Sequence, residues 1–485
     1  MASESSPPTL AASPVPPSSP AADIPLADAL RDALDIDSIR ADLDRLQSIT
    51  MAHGGVRPAG TEAHAAAADF VAEALRAAGY DVELQTVELP VFRQTAPSTL
   101  EITGPGARAF DDVRDFKAML FSPRGDVTAP LYALGFNPLA QPGDSSGLGC
   151  NPEDWREVPA GVIVLVQPGN CRRHDVVVQA QGVGVVGIVT AYPAWSRDMV
   201  LRPTLIEPAD IHIPAIGVTR DVGLALDAAA AAGAKVHMSV HASSETGSSV
   251  NVIGETPWGD PAHVVMLGGH LDSVVDGPGM NDNGSGTMTA VGIARALASI
   301  TGMAGAGGAG GTRPPWKVRA AFWTGEEIGL WGSRAYVTSL GSTGSIAAYL
   351  NFDMLGSPNG VREVYDGASS SRPSEGLVIA RLFSRALDDL GLSWQSVPLG
   401  GSSDHFSFDQ VGVPTGGLFS GANELKSDSQ AQLFGGQANA AEDACYHLAC
   451  DTADRIDTKL LGELARAAAW TVGALASGEV NLSGS

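Results

Sequence analysis

A buried strand that leads into a polar, glycine-rich loop and then into a helix constrains the fold of this chain most strongly. The apolar run 264–267 predicts a strand covered on both faces. Apolar residues then recur at helical spacing over 290–297. The loop between them carries His270, Asp272 and Asp282, in the place where α/β sheets usually keep their chemistry. Alone, the loop fits either a metal site or a polar turn in which Asp282 caps the helix.

Strands and helices alternate along most of the chain, which predicts an α/β fold with a mostly parallel central sheet flanked by helices. The predicted strands are 80–84, 162–166, 185–189, 213–218, 264–267, 318–323, 347–352 and 414–419. The predicted helices are 36–46, 61–78, 176–181, 290–297, 330–339, 375–390 and 457–477.

The chain of 485 residues is too long for one ordinary core, which predicts more than one domain. The Pro-, Ser- and Ala-rich residues 1–24 are predicted to be a disordered tail. Residues 25–115 are expected to form the first part of the α/β domain, 116–240 a β-rich insertion, and 241–485 its main part. The glycine-rich segment 299–315 is predicted to be a flexible surface loop.

The charge and the cysteines limit the partners and the compartment. A formal net charge of −24 argues against nucleic acid or anionic membranes as partners. No apolar run reaches the roughly 18 residues that span a bilayer. The four cysteines, Cys150, Cys171, Cys445 and Cys450, fit two local disulfides in an exported protein, with three pairings possible, or four reduced buried thiols. The first residues do not form a secretory signal, so we expect a secreted protein whose leader is absent from this sequence.

Three later segments add groups that suit a metal site. Glu326 and Glu327 directly follow a predicted buried strand, and side chains of neighbouring strand residues face opposite ways, so the two can have different roles. Asp353 ends another apolar strand, where its burial needs a cation or a hydrogen-bond network. His447 lies in a loop that a Cys445–Cys450 bridge would hold rigid.

Together, these segments and the first loop supply two histidines and three carboxylates with a further glutamate beside them: His270, Asp282, Glu327, Asp353, His447 and Glu326. That set suits a pair of zinc ions, each with one histidine and one terminal carboxylate, while one carboxylate is shared. Glu326 is then left free to act as a base.

The motifs 270–273, 281–286, 325–330, 351–354 and 445–447 resemble those of the secreted bacterial leucine aminopeptidases, within the two-zinc exopeptidase family. The resemblance covers about 30–100 and 250–475 and implies the zinc exopeptidase fold. It implies that Asp282 bridges two zinc ions, that His270 and Asp353 hold one, and that Glu327 and His447 hold the other. It also implies Glu326 as the general base, Asp272 as the group that orients His270, and Tyr446 as a donor to the oxyanion.

The block between the two matching regions resembles the protease-associated domain, an insertion found in several exopeptidase families. The resemblance rests on the segments 149–150, 169–171 and 180–184. In that family the positions of Cys150 and Cys171 are paired by a disulfide.

The expected function is a zinc-dependent aminopeptidase that removes apolar N-terminal residues from peptides. Leu418 and Phe419 are candidates for the pocket of the first side chain, although core packing explains them equally well. Ser402 stands where bacterial relatives have an arginine, and 394–401 lack their glutamate, so recognition of the substrate's ammonium group must come from elsewhere. The alternatives are a carboxypeptidase or dipeptidase that uses Arg362 or Arg372, or an inactive binding protein that presents its protease-associated domain.

Overall fold

The computed structural model describes residues 24–104, 106–137, 149–167, 171–191, 200–303 and 313–482. The helices are α1 Pro25–Asp32, α2 Ile36–Ala52, α3 Glu62–Ala77, α4 Arg173–Gly182, α5 Arg220–Ala231, α6 Gly286–Thr301, α7 Trp331–Ser339, α8 Pro373–Asp389, α9 His405–Gln410, α10 Asp428–Phe434 and α11 Thr458–Ala476. The strands are β1 Asp81–Gln94, β2 Thr99–Thr103, β3 Arg108–Ala109, β4 Phe116–Ala118, β5 Gly125–Leu134, β6 Ile163–Val166, β7 Gly187–Ala191, β8 Ala215–Val218, β9 Lys235–Val240, β10 Ala242–Glu255, β11 Asp260–His270, β12 Trp316–Trp323, β13 Ile346–Phe352, β14 Glu363–Tyr365, β15 Gln395–Val397 and β16 Thr415–Phe419.

The first of two eight-stranded sheets has the order β1-β10-β12-β11-β13-β16-β14-β15. Its centre is parallel, because β11 pairs in parallel with β12 and β13, and β13 pairs in parallel with β16. The strands β1 and β10 are antiparallel to each other, and β10 is antiparallel to β12. The predicted parallel centre is therefore present, with antiparallel pairs toward both edges.

Helices cover both faces of the first sheet, and β11 shows this residue by residue. Val265 and Leu267 belong to the core cluster that includes side chains of α2, α3, α6, α8 and α11. Val264 and Met266 belong to the opposite cluster, with residues of α7 and α9. All four side chains are almost fully buried. The prediction of a strand covered on both faces is thus confirmed, and burial of such apolar side chains stabilises each by roughly 1.5–3 kcal/mol.

The second sheet has the order β3-β2-β9-β5-β6-β7-β8-β4, and we call the part of the chain built around it the inserted unit. Strands β5, β6, β7 and β8 pair in parallel. The sheet already includes Thr99–Thr103, upstream of the boundary at 116 that the sequence suggested, because β2 pairs with β9. The tail 1–23 and most of the predicted loop 299–315 lie outside the described residues, although α6 extends to Thr301.

The strand predicted at 80–84 is much longer than expected. It runs to Gln94 and pairs with β10 along its whole length, from Asp81 opposite Glu255 to Gln94 opposite Ala242. This two-stranded ribbon connects the first sheet to the inserted unit.

None of the helices in the described part of the chain combines the length and apolar character needed to cross a bilayer.

A partly buried ion pair holds the inserted unit against the first unit. Arg202 donates from Nε and Nη2 to the carboxylate of Asp276, at 2.9 and 3.1 Å. Lys117 Nζ lies 3.4 Å from the same carboxylate. Asp276 belongs to the loop that follows β11, so the inserted unit contacts the segment that leads to Asp282.

Candidate metal centre

The carboxyl ends of three neighbouring parallel strands deliver four of the predicted site residues to one edge of the first sheet. His270 is the last residue of β11, Asp353 directly follows β13, and Glu326 and Glu327 follow β12 by a short turn. The loop after β11 adds Asp282. This is the edge at which open α/β sheets bind ligands.

His270, Asp282 and Asp353 form the first group with metal-ligand spacing. His270 Nε2 lies 3.1 Å from Asp282 Oδ1 and 3.4 Å from Asp353 Oδ1. Nδ1 of His270 donates to the backbone oxygen of Asp272 at 3.1 Å, since a carbonyl can only accept. Nδ1 therefore carries a proton, and Nε2, which faces the two carboxylates, is the nitrogen that would bind a metal ion. Ser403 donates to Asp353 Oδ2 at 2.7 Å and fixes that carboxylate.

Asp282, Glu327 and His447 form the second group, so Asp282 belongs to both. His447 Nε2 lies 3.0 Å from Asp282 Oδ2 and 3.0 Å from Glu327 Oε2. The two oxygens of Asp282 therefore face different histidines. Glu327 Oε1 and Asp353 Oδ1 are buried and find no hydrogen-bond partner in the described part of the chain. Buried carboxylate oxygens without hydrogen-bond donors are suited to bind metal cations. Without a cation, their negative charge would be desolvated and unbalanced.

Two buried ionisable side chains support the loop that carries Asp282. Asp451 accepts the backbone N–H groups of Asn281 and Asp282, at 2.7 and 3.1 Å. Arg57 is fully buried and donates to the backbone oxygens of Leu271, at 2.7 Å, and of Gly279, at 2.6 Å.

Gly279 in that loop has a φ of 66°, and a Cβ there would lie 2.4 Å from the backbone oxygen of Asp282. Only glycine fits this turn, because any side chain would collide with the backbone that presents the shared carboxylate.

Electrostatics show that the buried cluster attracts positive charge. Burial raises the pKa of Glu327 to about 7, although the charge of His447 opposes the shift. Burial lowers the pKa of His447, but Glu327 and Asp282 outweigh it and raise that pKa to about 10. Burial would raise the pKa of Asp282 too, yet hydrogen bonds from His270 and His447 hold it below its ordinary value. The carboxylates thus keep the neighbouring histidines protonated. Metal cations can supply the same balancing positive charge in place of those protons.

Glu326 and Tyr446 lie beside the two groups without belonging to either. Glu326 Oε2 is 3.9 Å from His270 Nε2, and its backbone N–H donates to Asp272 Oδ1 at 3.2 Å. Burial, with the nearby charges of Glu327 and Asp353, raises the pKa of Glu326 well above its ordinary value. Burial also raises the pKa of Tyr446, so its hydroxyl stays protonated. The Tyr446 ring stacks on His447 with ring centres 3.8 Å apart.

A cavity of about 290 Å³, which we call the inner cavity, opens from the ligand cluster toward β15 and β16. Its walls include Met354, Val397, Leu399 and Phe419. Leu418, the other predicted pocket residue, is fully buried in the core on the helix side and does not line this cavity. The reason is strand alternation, which turns neighbouring residues of β16 to opposite faces.

A second cavity of about 490 Å³, the outer cavity, lies between the inserted unit and the first unit. It shares Glu326, Glu327, Ser402, Tyr446 and His447 with the inner cavity. The ligand cluster therefore stands where the two cavities meet.

Glu424 also lines the inner cavity, and it was not among the site residues predicted from the sequence. Unlike Asp282, Glu327 and Asp353, it belongs to neither group with metal-ligand spacing. The neighbouring Asn423 presents a buried Oδ1 without a donor among the described residues. The sequence feature that could have indicated Asn423 and Glu424 is their position, because both residues follow the carboxyl end of strand β16.

The two arginines considered for a carboxypeptidase lie elsewhere. Arg362 pairs with Glu463 at 2.6 Å, and Arg372 pairs with Glu375. Neither arginine lines the inner or the outer cavity.

Both disulfides are local, and one of them borders the cluster. Cys445 pairs with Cys450, which encloses Tyr446 and His447 in a short loop. Cys150 pairs with Cys171 within the inserted unit. Of the alternatives that the sequence left open, reduced thiols and the other two pairings are therefore wrong.

Comparison with known proteins identifies two matching families. The family profile of peptidase family M28 matches residues 251–472, and that of the PA domain matches residues 127–226. An aminopeptidase of Pseudomonas aeruginosa is 35% identical over 417 residues, which cover 84% of this chain and 75% of the relative. A probable lipoprotein aminopeptidase of Mycobacterium tuberculosis is 36% identical over 460 residues, 92% of this chain and 86% of the relative.

Solved structures share the fold. An aminopeptidase from an Aneurinibacillus species superposes with a TM-score of 0.71 at 24% identity, covering 92% of this chain and 95% of its own. A zinc aminopeptidase from Bacillus subtilis gives a TM-score of 0.64 at 23% identity, with coverage of 90% and 94%. At these identities, the likeness establishes the architecture.

Proposed function

The chain belongs to peptidase family M28 and is a metallo-aminopeptidase with an inserted PA domain, and from this premise we propose that it cleaves peptides with two zinc ions and a glutamate base. The observation that carries the proposal is the shared carboxylate of Asp282, which faces His270 on one side and His447 on the other.

The donor set fits two zinc ions. His270 and Asp353 would hold one ion, Glu327 and His447 the other, and Asp282 would bridge them. Each ion would have one imidazole and carboxylate oxygens, a common zinc environment. When bound, zinc lowers the pKa of a coordinated water and polarises a carbonyl oxygen.

Glu326 is the proton carrier of the proposed reaction. Its carboxylate takes the proton of the attacking water and delivers it to the nitrogen of the leaving amine, whose bond to the carbonyl carbon then breaks. The raised pKa of Glu326 suits a group that must hold this proton between the two steps. Tyr446 keeps its hydroxyl proton and donates it as a hydrogen bond to the developing oxyanion.

The inner cavity is the proposed pocket for the first residue of the substrate. Phe419, Val397 and Met354 supply apolar walls, which favours apolar side chains such as leucine. The substrate's ammonium group needs an anionic partner there. Glu424 and the Asn423 carbonyl oxygen meet that need, because the other carboxylates of the cavity hold metal or carry the proton.

Hydrolysis of leucine-containing peptides tests the proposal. Leucyl-p-nitroanilide and free-amino peptides should be cleaved, a chelator should stop cleavage, and zinc should restore it. N-acetylated peptides should not be cleaved, because they lack the ammonium group. Cleavage of the acetylated peptides from their carboxyl end would instead identify a carboxypeptidase.

Glu424→Gln tests the ammonium site separately. A charged hydrogen bond contributes about 1.5–3 kcal/mol, so we expect kcat/KM for free-amino substrates to fall at least about tenfold, mainly through KM. Glu88→Gln, at an exposed position of β1, is the matched control and should change nothing. An unchanged KM in Glu424→Gln would remove that residue from the proposal.

We also propose that the protein is exported. Its two disulfides are of the kind that persist in oxidising compartments, and the Mycobacterium relative is named a lipoprotein aminopeptidase. Thiol titration of denatured native protein should find no free cysteine, and four titratable thiols would contradict this.

A further inference from the structure

Two arginines line the outer cavity, although the chain as a whole has 54 acidic and only 30 basic residues. Arg172 lies just before α4 in the inserted unit, and Arg334 lies on α7 of the first unit. Both arginines therefore add positive charge to a cavity whose lining also includes Glu326 and Glu327.

Both guanidinium groups retain donors for a ligand. Arg172 Nη2 lies 3.5 Å from Glu207 Oε1, at the limit of an ion pair, and both side chains are substantially exposed. Arg334 Nη1 donates to the backbone oxygen of Gly329 at 3.3 Å. A guanidinium has five N–H groups in a fork that matches a carboxylate, so each arginine can still bind one bidentately.

The direction of the substrate brings its later residues to these arginines. If the inner cavity takes the first residue, the rest of the peptide leaves through the outer cavity, which shares Glu326 and Tyr446 with it. Two extended residues reach about 7 Å beyond the scissile bond. The Arg202–Asp276 pair joins the inserted unit to the first unit, and Arg172 of the one unit and Arg334 of the other line the same cavity.

On the basis of the proposed function, we propose that Arg172 and Arg334 form a carboxylate-binding subsite for the leaving part of the substrate. The carboxylate is the C-terminus of a short peptide or an acidic side chain near the cleavage point. The enzyme therefore favours short or acidic peptides over neutral ones, and the inserted unit contributes directly to this choice.

The test compares peptides that differ by one charge, using the zinc-loaded full chain at low salt. We expect kcat/KM for Leu-Gly-Gly to exceed that for Leu-Gly-Gly-amide about tenfold, since each exposed charged contact contributes a few-fold. In the double variant Arg172→Gln/Arg334→Gln the ratio should fall to within about twofold of one. Arg156→Gln, an exposed arginine of the inserted unit paired with Glu153, is the matched control and should keep the wild-type ratio.

A second pair of peptides distinguishes the two sources of the carboxylate. If the wild type prefers Leu-Glu-Gly-amide over Leu-Gln-Gly-amide and the double variant does not, the subsite binds acidic side chains. If the wild type prefers only the peptide with the free carboxyl terminus, the subsite serves short peptides. Ratios near one in the wild type, or ratios that survive in the double variant, overturn the subsite. Failure to release leucine from any of the four peptides would overturn the proposed function itself, which is a different result.

Discussion

Two histidines of this protein each stand between two carboxylates, and their surroundings could hardly differ more. His237, on β9 of the inserted unit, contacts Glu101 and Asp126 at 3.0 Å each. His270, at the end of β11, lies 3.1 and 3.4 Å from Asp282 and Asp353. The first histidine side chain is 25% exposed, and the second only 1%.

Burial decides what this shared arrangement can do. Water screens the carboxylates around His237, so the trio needs no further cation and contributes a surface ion pair. Water cannot screen the carboxylates around His270, and their charge must be balanced by protons or metal ions. The same residue types therefore predict a metal centre only where strands bury them.

The largest expected effect is the loss of the base on the buried side of this comparison. Glu326→Gln should lower kcat about 10³-fold, within the range that a positioned general base contributes, while zinc stays bound. Glu101→Gln, at the exposed histidine, is the matched control and should leave kcat unchanged. The measurement is kcat for leucyl-p-nitroanilide, and near wild-type turnover in Glu326→Gln would reject the base.

The next effect is on metal content. Asp282→Asn should reduce bound zinc from two ions per chain to less than one, because both proposed sites share that carboxylate. Asp126→Asn, its counterpart beside His237, should bind as much zinc as the wild type. Elemental analysis after dialysis measures both, and full zinc in Asp282→Asn would mean that the carboxylate is not shared.

The two disulfides are expected to contribute differently to stability and to activity. Loop-closure entropy assigns about 3 kcal/mol to Cys150–Cys171 and about 2 kcal/mol to Cys445–Cys450, whose sequence separations are 21 and 5. Replacing Cys150 and Cys171 by serine should therefore lower the free energy of unfolding more than replacing Cys445 and Cys450 does. Replacing Cys445 and Cys450 should in turn have the larger effect on zinc affinity and kcat, because that bridge holds the loop of His447. Denaturant unfolding and zinc titration compare the variants, and equal effects on activity would contradict the assignment.

The smallest effect belongs to His237. Hydrogen bonds from its ring to Asp126 and Glu101 outweigh its partial burial and raise its pKa. The stabilisation is fully present below about pH 6.5 and is lost as the pH rises through the raised pKa of the folded state. His237→Gln should thus cost up to about 1 kcal/mol at pH 5.5 and much less at pH 9. Urea unfolding at both values tests this, and a cost that grows with pH would reverse the sign.

The sequence predicted the site best where polar residues directly follow apolar strands. The apolar run 264–267 predicted the central strand, and the polar residues at strand ends, among them Glu327 and Asp353, pointed to one edge of the sheet. Parallel pairing then brings together residues far apart in the chain, because the carboxyl ends of parallel strands meet.

Contacts without a periodic signal could not be predicted. Arg57 donates to the backbone oxygen of Leu271, 214 residues away, and nothing in the sequence near either residue marks the pair. Glu424 becomes visible only once the loop after β16 folds over the inner cavity. The length of β1 depends on pairing with β10, far along the chain, and so its alternating pattern alone underestimated it.

Anomalous diffraction at the zinc absorption edge, from crystals of the native protein, tests the central claim most directly. Two peaks roughly 3.5–4 Å apart are expected on either side of the Asp282 carboxylate, one beside His270 and Asp353 and the other beside Glu327 and His447. A single peak, or peaks that do not share Asp282, would contradict the claim.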